Sequence, residues 1–381
     1  MIPYPGPHAV GIARVETTAT DKKRGVLGCM FYPSPAQTAT KSKWLIGPTG
    51  FYARGFGAYI GAPQFLSNTL LTWLLGAVTI DACVESEARD SAKMPVAVFS
   101  HGLGGNQTTY SDLCGTFASR GFLVLSIEHR DRSASVSAKS NYTEKIDYQK
   151  PPKDEEESRQ FRSGQVEQRV SEVGEGFQLL RDLNDGKQVE NLLGTSLPDL
   201  KGRIDLDNSV MIGHSFGGVT AISVLQQPNN PFIAGIVLDP WMFALSSKEP
   251  LKVPVLSIQS ETFHWRKNIA AFREIWDKST TPPNRPSNTF TVLFNTKHQD
   301  VSDLLSIAPS FLKNTIGLGK LDAKVVYDAY DKMCSGFLKK VLDGRSKIAD
   351  EIVVGDVDAA LVVNDEAAFE FLDTIMAPAK V

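Results

Sequence analysis

The sequence predicts an α/β fold, with a mostly parallel central sheet and helices on both faces. Three observations carry this expectation. Short apolar runs occur at 96–100, 122–127, 209–212, 233–238, 253–258 and 291–294, several of them ending in Gly, His or Asp. Such runs are continuous, not alternating, which marks strands buried on both faces of a parallel sheet. Helical patterns fall between them, and alternation of strand and helix calls for crossover connections.

Taken in order, residues 9–36 read as strand and turn material on the sheet edge. Residues 37–92 are less regular. They hold Trp44, Phe51, Tyr52, Phe56, Tyr59 and an apolar run at 65–78, and read as an elaboration packed on the sheet. Within 253–258, Pro254 suits the start of a strand, where a missing amide costs no ladder bond. Val166, Val170, Val173, Phe177, Leu180 and Leu183 recur at spacings of three and four, one face of a helix. Residues 154–157, Asp-Glu-Glu-Glu, precede it and suit the positive end of a helix dipole. The whole chain, 1–381, reads as one domain with a C-terminal extension at about 346–381.

Composition excludes several classes. Net charge is −3 with no basic cluster, so no nucleic-acid partner is expected. The start, Met-Ile-Pro-Tyr-Pro-Gly, has neither a basic nor an apolar leader region, and Ile2 replaces the glycine that myristoylation needs. No apolar run is long enough to span a bilayer. A cytoplasmic location is the expectation, or a secreted one if a leader has been removed. Cys29, Cys83, Cys114 and Cys334 lack metal-like spacing, so reduced thiols and no metal or cofactor are expected. Sequons stand at Asn106 and Asn141.

The chemistry begins at Gly213-His214-Ser215-Phe216-Gly217. This pattern follows an apolar strand and precedes an apolar helix, the context of a nucleophile elbow in an α/β-hydrolase fold. A serine hydroxyl needs a base, and that fold orders its triad Ser, acid, His. Only His264 and His298 follow Ser215. His298 comes straight after the 291–294 strand and is the favoured base; His264 reads as a rim or packing residue. Asp239, ending the 233–238 strand, is the favoured acid, with Glu261 as runner-up. Asp300 and Asp303 follow the histidine and read as surface or helix-start residues. His101-Gly102-Leu103-Gly104-Gly105 follows the 96–100 strand. Its glycines let a backbone amide turn towards a developing oxyanion, which nominates the amides of Leu103 and Phe216.

Further blocks narrow the reading. Phe-Ser-His-Gly-Leu-Gly at 99–104 is followed by Glu-His-Arg-Asp-Arg-Ser at 128–133, Gly-His-Ser-Phe-Gly-Gly at 213–218, Leu-Asp-Pro-Trp-Met-Phe at 238–243 and His-Gln at 298–299. In this order they resemble the platelet-activating factor acetylhydrolases of the secreted and type II intracellular branch. The resemblance runs from about residue 3 to about 345. It implies a calcium-independent esterase that removes sn-2 acetyl, short or oxidised acyl chains from phosphocholine lipids. By motif it implies Ser215, Asp239 and His298 as the triad and the Leu103 and Phe216 amides as oxyanion donors. Pro240 departs from the alanine usual there.

Three features keep two readings each. His129, in the 128–131 block, either faces a phosphate headgroup in the substrate pocket or belongs to a buried ion network. Trp241 and Phe243 either wall the acyl pocket or pack in the core. The 65–78 stretch is either an amphipathic helix lying on a lipid surface or a helix buried on the sheet.

Overall fold

The computed structural model of the chain describes residues 1–20, 23–35, 40–84, 86–89, 93–280 and 288–375. The strands are β1 (Ala9–Glu16), β2 (Leu27–Ser34), β3 (Lys41–Lys43), β4 (Thr79–Val84), β5 (Met94–Ser100), β6 (Leu123–Ile127), β7 (Val136–Lys139), β8 (Glu144–Asp147), β9 (Ile204–His214), β10 (Ala234–Leu238), β11 (Val255–Ser260), β12 (Thr289–Leu293) and β13 (Val362–Asn364). Eleven of them form one sheet in the order β13-β12-β11-β10-β9-β5-β6-β2-β1-β4-β3, and β7 and β8 make a separate hairpin. The stretch from β12 to β6 is parallel throughout. These six strands carry the six apolar runs, as the sequence predicts.

Side-chain alternation along each strand builds two apolar layers. Ala97 and Phe99 of β5 and Val210 and Ile212 of β9 pack on one face, with Leu113 and Phe117 of helix Ser111–Ser119 and Tyr330 and Phe337 of helix Ala323–Leu342. Val96 and Val98 of β5 and Met211 of β9 pack on the other. There they meet Val173, Phe177 and Leu180 of helix Glu155–Asn184, Ile222 of helix Phe216–Leu225, and Phe272 of helix Arg266–Thr280. Each fully buried Val, Leu, Ile, Phe or Met side chain among them contributes about 1.5–3 kcal/mol. Asp154 is the N-cap of the long helix, and its side chain accepts from the amides of Glu156 and Glu157, so the acidic run is a helix start.

The edges differ from the sequence-based expectation. β1 and β2 lie inside the sheet, where β2 pairs with β6 and β1 with β4. The edges are β3 and β13, supplied by the 37–92 stretch and by the C-terminal extension. β4 returns parallel to β1 and covers the edge that β1 would otherwise expose. Parts of both segments, 37–39, 85, 90–92 and 376–381, lie outside the described residues.

The parallel strands run outward in opposite directions from the β5–β9 pair: β6 lies on one side, and β10, β11 and β12 follow on the other. A crevice opens at such a switch point, at the carboxyl ends of the strands. Ser100, Ser215, Asp239 and the 295–298 turn all lie at that end.

Candidate active site

Ser215 stands at φ 57°, ψ −116°, between β9 and helix Phe216–Leu225. A non-glycine residue held there costs of order 1–3 kcal/mol, which surrounding bonds must offset. Its amide donates to the Leu238 carbonyl at 2.9 Å, and its carbonyl accepts from Gly218 and Trp241 at 3.0 Å. The flanking glycines are a steric requirement. A Cβ on Gly213 would lie 2.0 Å from the Gly217 carbonyl oxygen, and one on Gly217 would lie 1.9 Å from that of Ser100.

His298 Nε2 lies 2.9 Å from Ser215 Oγ, and its Nδ1 lies 3.0 Å from Asp239 Oδ2. Asp239 is buried and also accepts from the Ser260 amide and hydroxyl, both at 2.6 Å. With three donors on it the carboxylate is fixed, and Nδ1 of His298 must carry its proton. That leaves the Nε2 lone pair facing the serine. Phe263 stacks on the imidazole, ring centroids 3.4 Å apart and planes within 13°, and His214 lies on it at 4.5 Å. Burial holds the His214 imidazole well below the ordinary pKa range, so it is neutral beside His298.

Asp300 and Asp303 are buried, not surface residues. Asp300 accepts from the amides of Lys297 and Gly319 at 2.8 and 2.7 Å and closes the turn that presents His298. Asp303 accepts from the Ser111 and Asp112 amides and from Trp44 Nε1, at 2.7–2.9 Å. It therefore caps helix Ser111–Ser119 from outside and ties the loop that carries His298 to it. Burial pushes Asp303 up to about 6, and burial followed by the Asp303 charge pushes Asp112 up to about 8. His264 is half-buried, and burial lowers its pKa. Among the described residues it is His298 that bonds the Ser215 hydroxyl.

The 101–105 loop has spent its glycine amides. Gly102 donates to Tyr110 Oη at 3.2 Å, Gly104 to Ser133 O at 2.9 Å, and Gly105 to Gly102 O at 3.2 Å. The Leu103 amide has no such partner among the described residues. Arg169 braces this loop from beneath. Its Nη1 donates to the His101 carbonyl at 2.7 Å, its Nε to Asp131 at 2.8 Å, and its guanidinium sits 4.5 Å from the Phe216 ring centroid. One buried cation thus holds both nominated oxyanion donors in one frame.

The 128–131 block is an interior network. His129 is wholly buried, with Nε2 2.7 Å from Ser100 Oγ and Nδ1 2.7 Å from Glu172. It presents no atom to a substrate, so its place in the pocket is corrected: both ring nitrogens are taken by the strand and the long helix. Arg130 pairs with Glu16 and Asp131 with Arg169. Trp241 and Phe243 are half-buried and stack at 5.4 Å, with Trp241 also 5.8 Å from the Phe216 ring. Asn106 is buried, and its Oδ1 accepts from Thr108 and Thr109, so this sequon is closed in the folded chain, whereas Asn141 is exposed. All four cysteines are free and buried.

Donor atoms of His214, Asp239 and His298 lie within 4.8 Å of one another, a spacing metal ligands can share. Here the Asp239 oxygens are bonded to Ser260 and His298, and the two His298 nitrogens to Asp239 and Ser215.

Sequence reasoning missed Ser260, Phe263 and Arg169. Ser260 and Phe263 flank the runner-up acid Glu261 and carry no motif. A buried arginine on the apolar face of a helix was a readable signal, since such a cation needs partners.

Comparison with known proteins places the chain. The sequence model described as platelet-activating factor acetylhydrolase, isoform II, matches residues 1–356. A platelet-activating factor acetylhydrolase of Canis lupus familiaris is 31% identical over 352 residues, covering 89% of this chain and 77% of the relative. One of Gallus gallus is 29% identical over 358 residues, covering 88% and 82%. A putative phospholipase A2 of Schizosaccharomyces pombe is 26% identical over 287 residues, covering 61% and 64%. Among solved structures, a ferulic acid esterase from Streptomyces cinnamoneus superposes with a TM-score of 0.68 over 95% of this chain and 98% of that one, at 17% identity, a likeness of fold. The chain belongs to the platelet-activating factor acetylhydrolase, isoform II, family.

Proposed function

We propose that the chain is a calcium-independent serine esterase that releases the sn-2 acetyl, or another short or oxidised acyl group, from platelet-activating factor and related phospholipids. The observation that carries this is the unbroken chain Ser215–His298–Asp239 beside an uncommitted Leu103 amide. Ser215 Oγ attacks the sn-2 carbonyl carbon as His298 Nε2 takes its proton. The carbonyl oxygen becomes an oxyanion between the Leu103 and Phe216 amides, each worth about 3 kcal/mol in the transition state. The carbon–oxygen bond to glycerol breaks, and the lysophospholipid oxygen leaves with the proton from His298. Water then attacks the acyl-serine, passes a proton to His298, and the free carboxylic acid departs as Ser215 is reprotonated. The half-buried Trp241 and Phe243 rings wall the acyl side.

The test is a panel of phosphocholines with sn-2 chains of increasing length, with calcium and with chelator, on the wild type and Ser215→Ala. Rate should fall steeply beyond short chains, ignore calcium, and vanish without the hydroxyl. Preference for long unmodified chains would favour a general lipase on the same triad. Full turnover by Ser215→Ala would overturn the mechanism.

We further propose that the 65–78 stretch meets the lipid surface. Among the described residues no helix is long and apolar enough to cross a membrane. Helix Gln64–Leu66 continues through 67–71 into helix Thr72–Ala77, and it leaves Phe65, Leu70, Trp73 and Leu74 exposed, Trp73 at 72%. Tyr59, just before it, lies against Gly104 of the oxyanion loop, so this apolar face is at the Ser215 end of the sheet. Leu74→Asp with intact folding should weaken binding to phosphocholine vesicles while leaving hydrolysis of a water-soluble ester intact; unchanged vesicle binding would refute the contact.

A further inference from the structure

A second concavity lies at the opposite end of the sheet from Ser215. It is a groove of about 850 Å³, floored by residues at the amino ends of β11 and β12 and just before β10. Helix Ala323–Leu342 forms one wall and residues 354–357 with β13 form the other. Its apolar surface comes from Leu256, Met333, Phe337, Val354, Val357 and Val362. Gly336 leaves the helix wall open where a larger residue would approach Val354.

The charge on this groove is lopsided. Lys332, Lys339, Lys340 and Arg345 line it, against Asp356 and Asp365. Among the described residues no ion pair joins any of these six. Asp365 is turned to the backbone, where it accepts from the Phe290 amide at 3.1 Å, and Lys339 donates to the Ile352 carbonyl at 3.0 Å. Lys332 is half-buried and its stem lies over Gly355, which places a cation beside the apolar wall. Lys340 and Arg345 stand at the end of the helix, where cations also complement its dipole.

An apolar trough with an unmatched cationic rim fits one chemistry: a single alkyl chain ending in an anion. We propose that this groove binds an anionic single-chain amphiphile, its chain along Phe337 and Val354 and its head at Lys340 and Arg345. A fatty carboxylate and an alkyl phosphate share that chemistry. The inference does not depend on the function assigned to Ser215, because it uses none of the triad residues.

The test is calorimetric titration of the full chain with dodecanoate, dodecyl phosphate, dodecyl phosphocholine and inorganic phosphate, each below its micelle concentration. The two amphiphilic anions should bind the groove, and whichever binds more tightly identifies the head. Lys340→Glu with Arg345→Glu should weaken both by at least about tenfold. Val354→Asp, at an exposed position, should do the same, while both variants keep the wild-type melting temperature and ester hydrolysis. Unchanged affinity in both variants would overturn the proposal. So would equal binding of the zwitterionic phosphocholine, or inorganic phosphate binding as tightly as dodecyl phosphate, which would mean a bare anion site.

Discussion

Asp239→Asn separates the orienting carboxylate from everything else in the site, because its volume is nearly unchanged. The new amide must place its nitrogen at one of two positions. At the Oδ1 position it would meet the Ser260 N–H, donor against donor. It therefore takes the Oδ2 position, facing Ser260 Oγ and His298 Nδ1. There it donates to Nδ1, the imidazole proton moves to Nε2, and Nε2 meets Ser215 Oγ as a donor instead of a base. The wrong tautomer and the loss of a negative charge beside the imidazolium lower kcat by about 10⁴-fold, or about 5.5 kcal/mol. KM changes little, since nothing on the substrate side of Ser215 moves. Ser260→Ala is the matched control. It deletes one hydrogen bond from Oδ2 but leaves the tautomer correct, so its cost is about 1.5 kcal/mol, roughly tenfold. The assay is steady-state hydrolysis of a short-chain nitrophenyl ester, with melting temperature as the folding check. Asp239→Asn within about tenfold of wild type, or Ser260→Ala as damaging as Asp239→Asn, would refute the reasoning.

Other outcomes follow from neighbouring residues. Burial and the Asp303 charge raise Asp112 to about 8, above an unfolded value of about 3.9. The folded state thus holds that proton more tightly, so this carboxyl's contribution to stability is full below about pH 4 and is lost as pH rises towards about 8. Asp112→Asn should therefore raise the melting temperature at pH 8 and change it little at pH 4; an equal shift at both pH values would contradict this. Gly217→Ala drives a methyl to 1.9 Å from the Ser100 carbonyl and 2.8 Å from that of His101, at a cost of about 1–3 kcal/mol or more with loss of turnover. Gly164→Ala, with nothing within 4 Å in the long helix, should instead stabilise by about 0.5–1 kcal/mol. Similar melting temperatures for the two variants would show that the elbow is not sterically bound.

Where the sequence succeeded, the signal was local. The six apolar runs became the parallel strands because burial on both faces demands continuous apolar residues. The elbow was legible because a sharp strand-to-helix turn admits only small residues two places either side of Ser215. Where it failed, the deciding contact lay far along the chain. β1 and β2 looked like edge strands because nothing in 9–36 reveals that β4 will pair with β1. Asp303 read as a surface or helix-start residue; it does start helix Leu304–Ile307, but its burial was hidden because its partners, Trp44 and the amides of Ser111 and Asp112, lie about 190 or more positions away.

By itself the sequence determined the fold class and the turn at Ser215, and it nominated Ser215, Asp239 and His298 as candidates, since each is of the required residue type and follows the carboxyl end of its own strand. Only the tertiary structure decided what surrounds them. It placed Ser260 on Asp239, Phe263 on His298 and Arg169 beneath both the 101–105 loop and Phe216, and it withdrew His129 into the interior. These are packing outcomes between segments distant in sequence, and no periodicity or motif encodes which of them will meet.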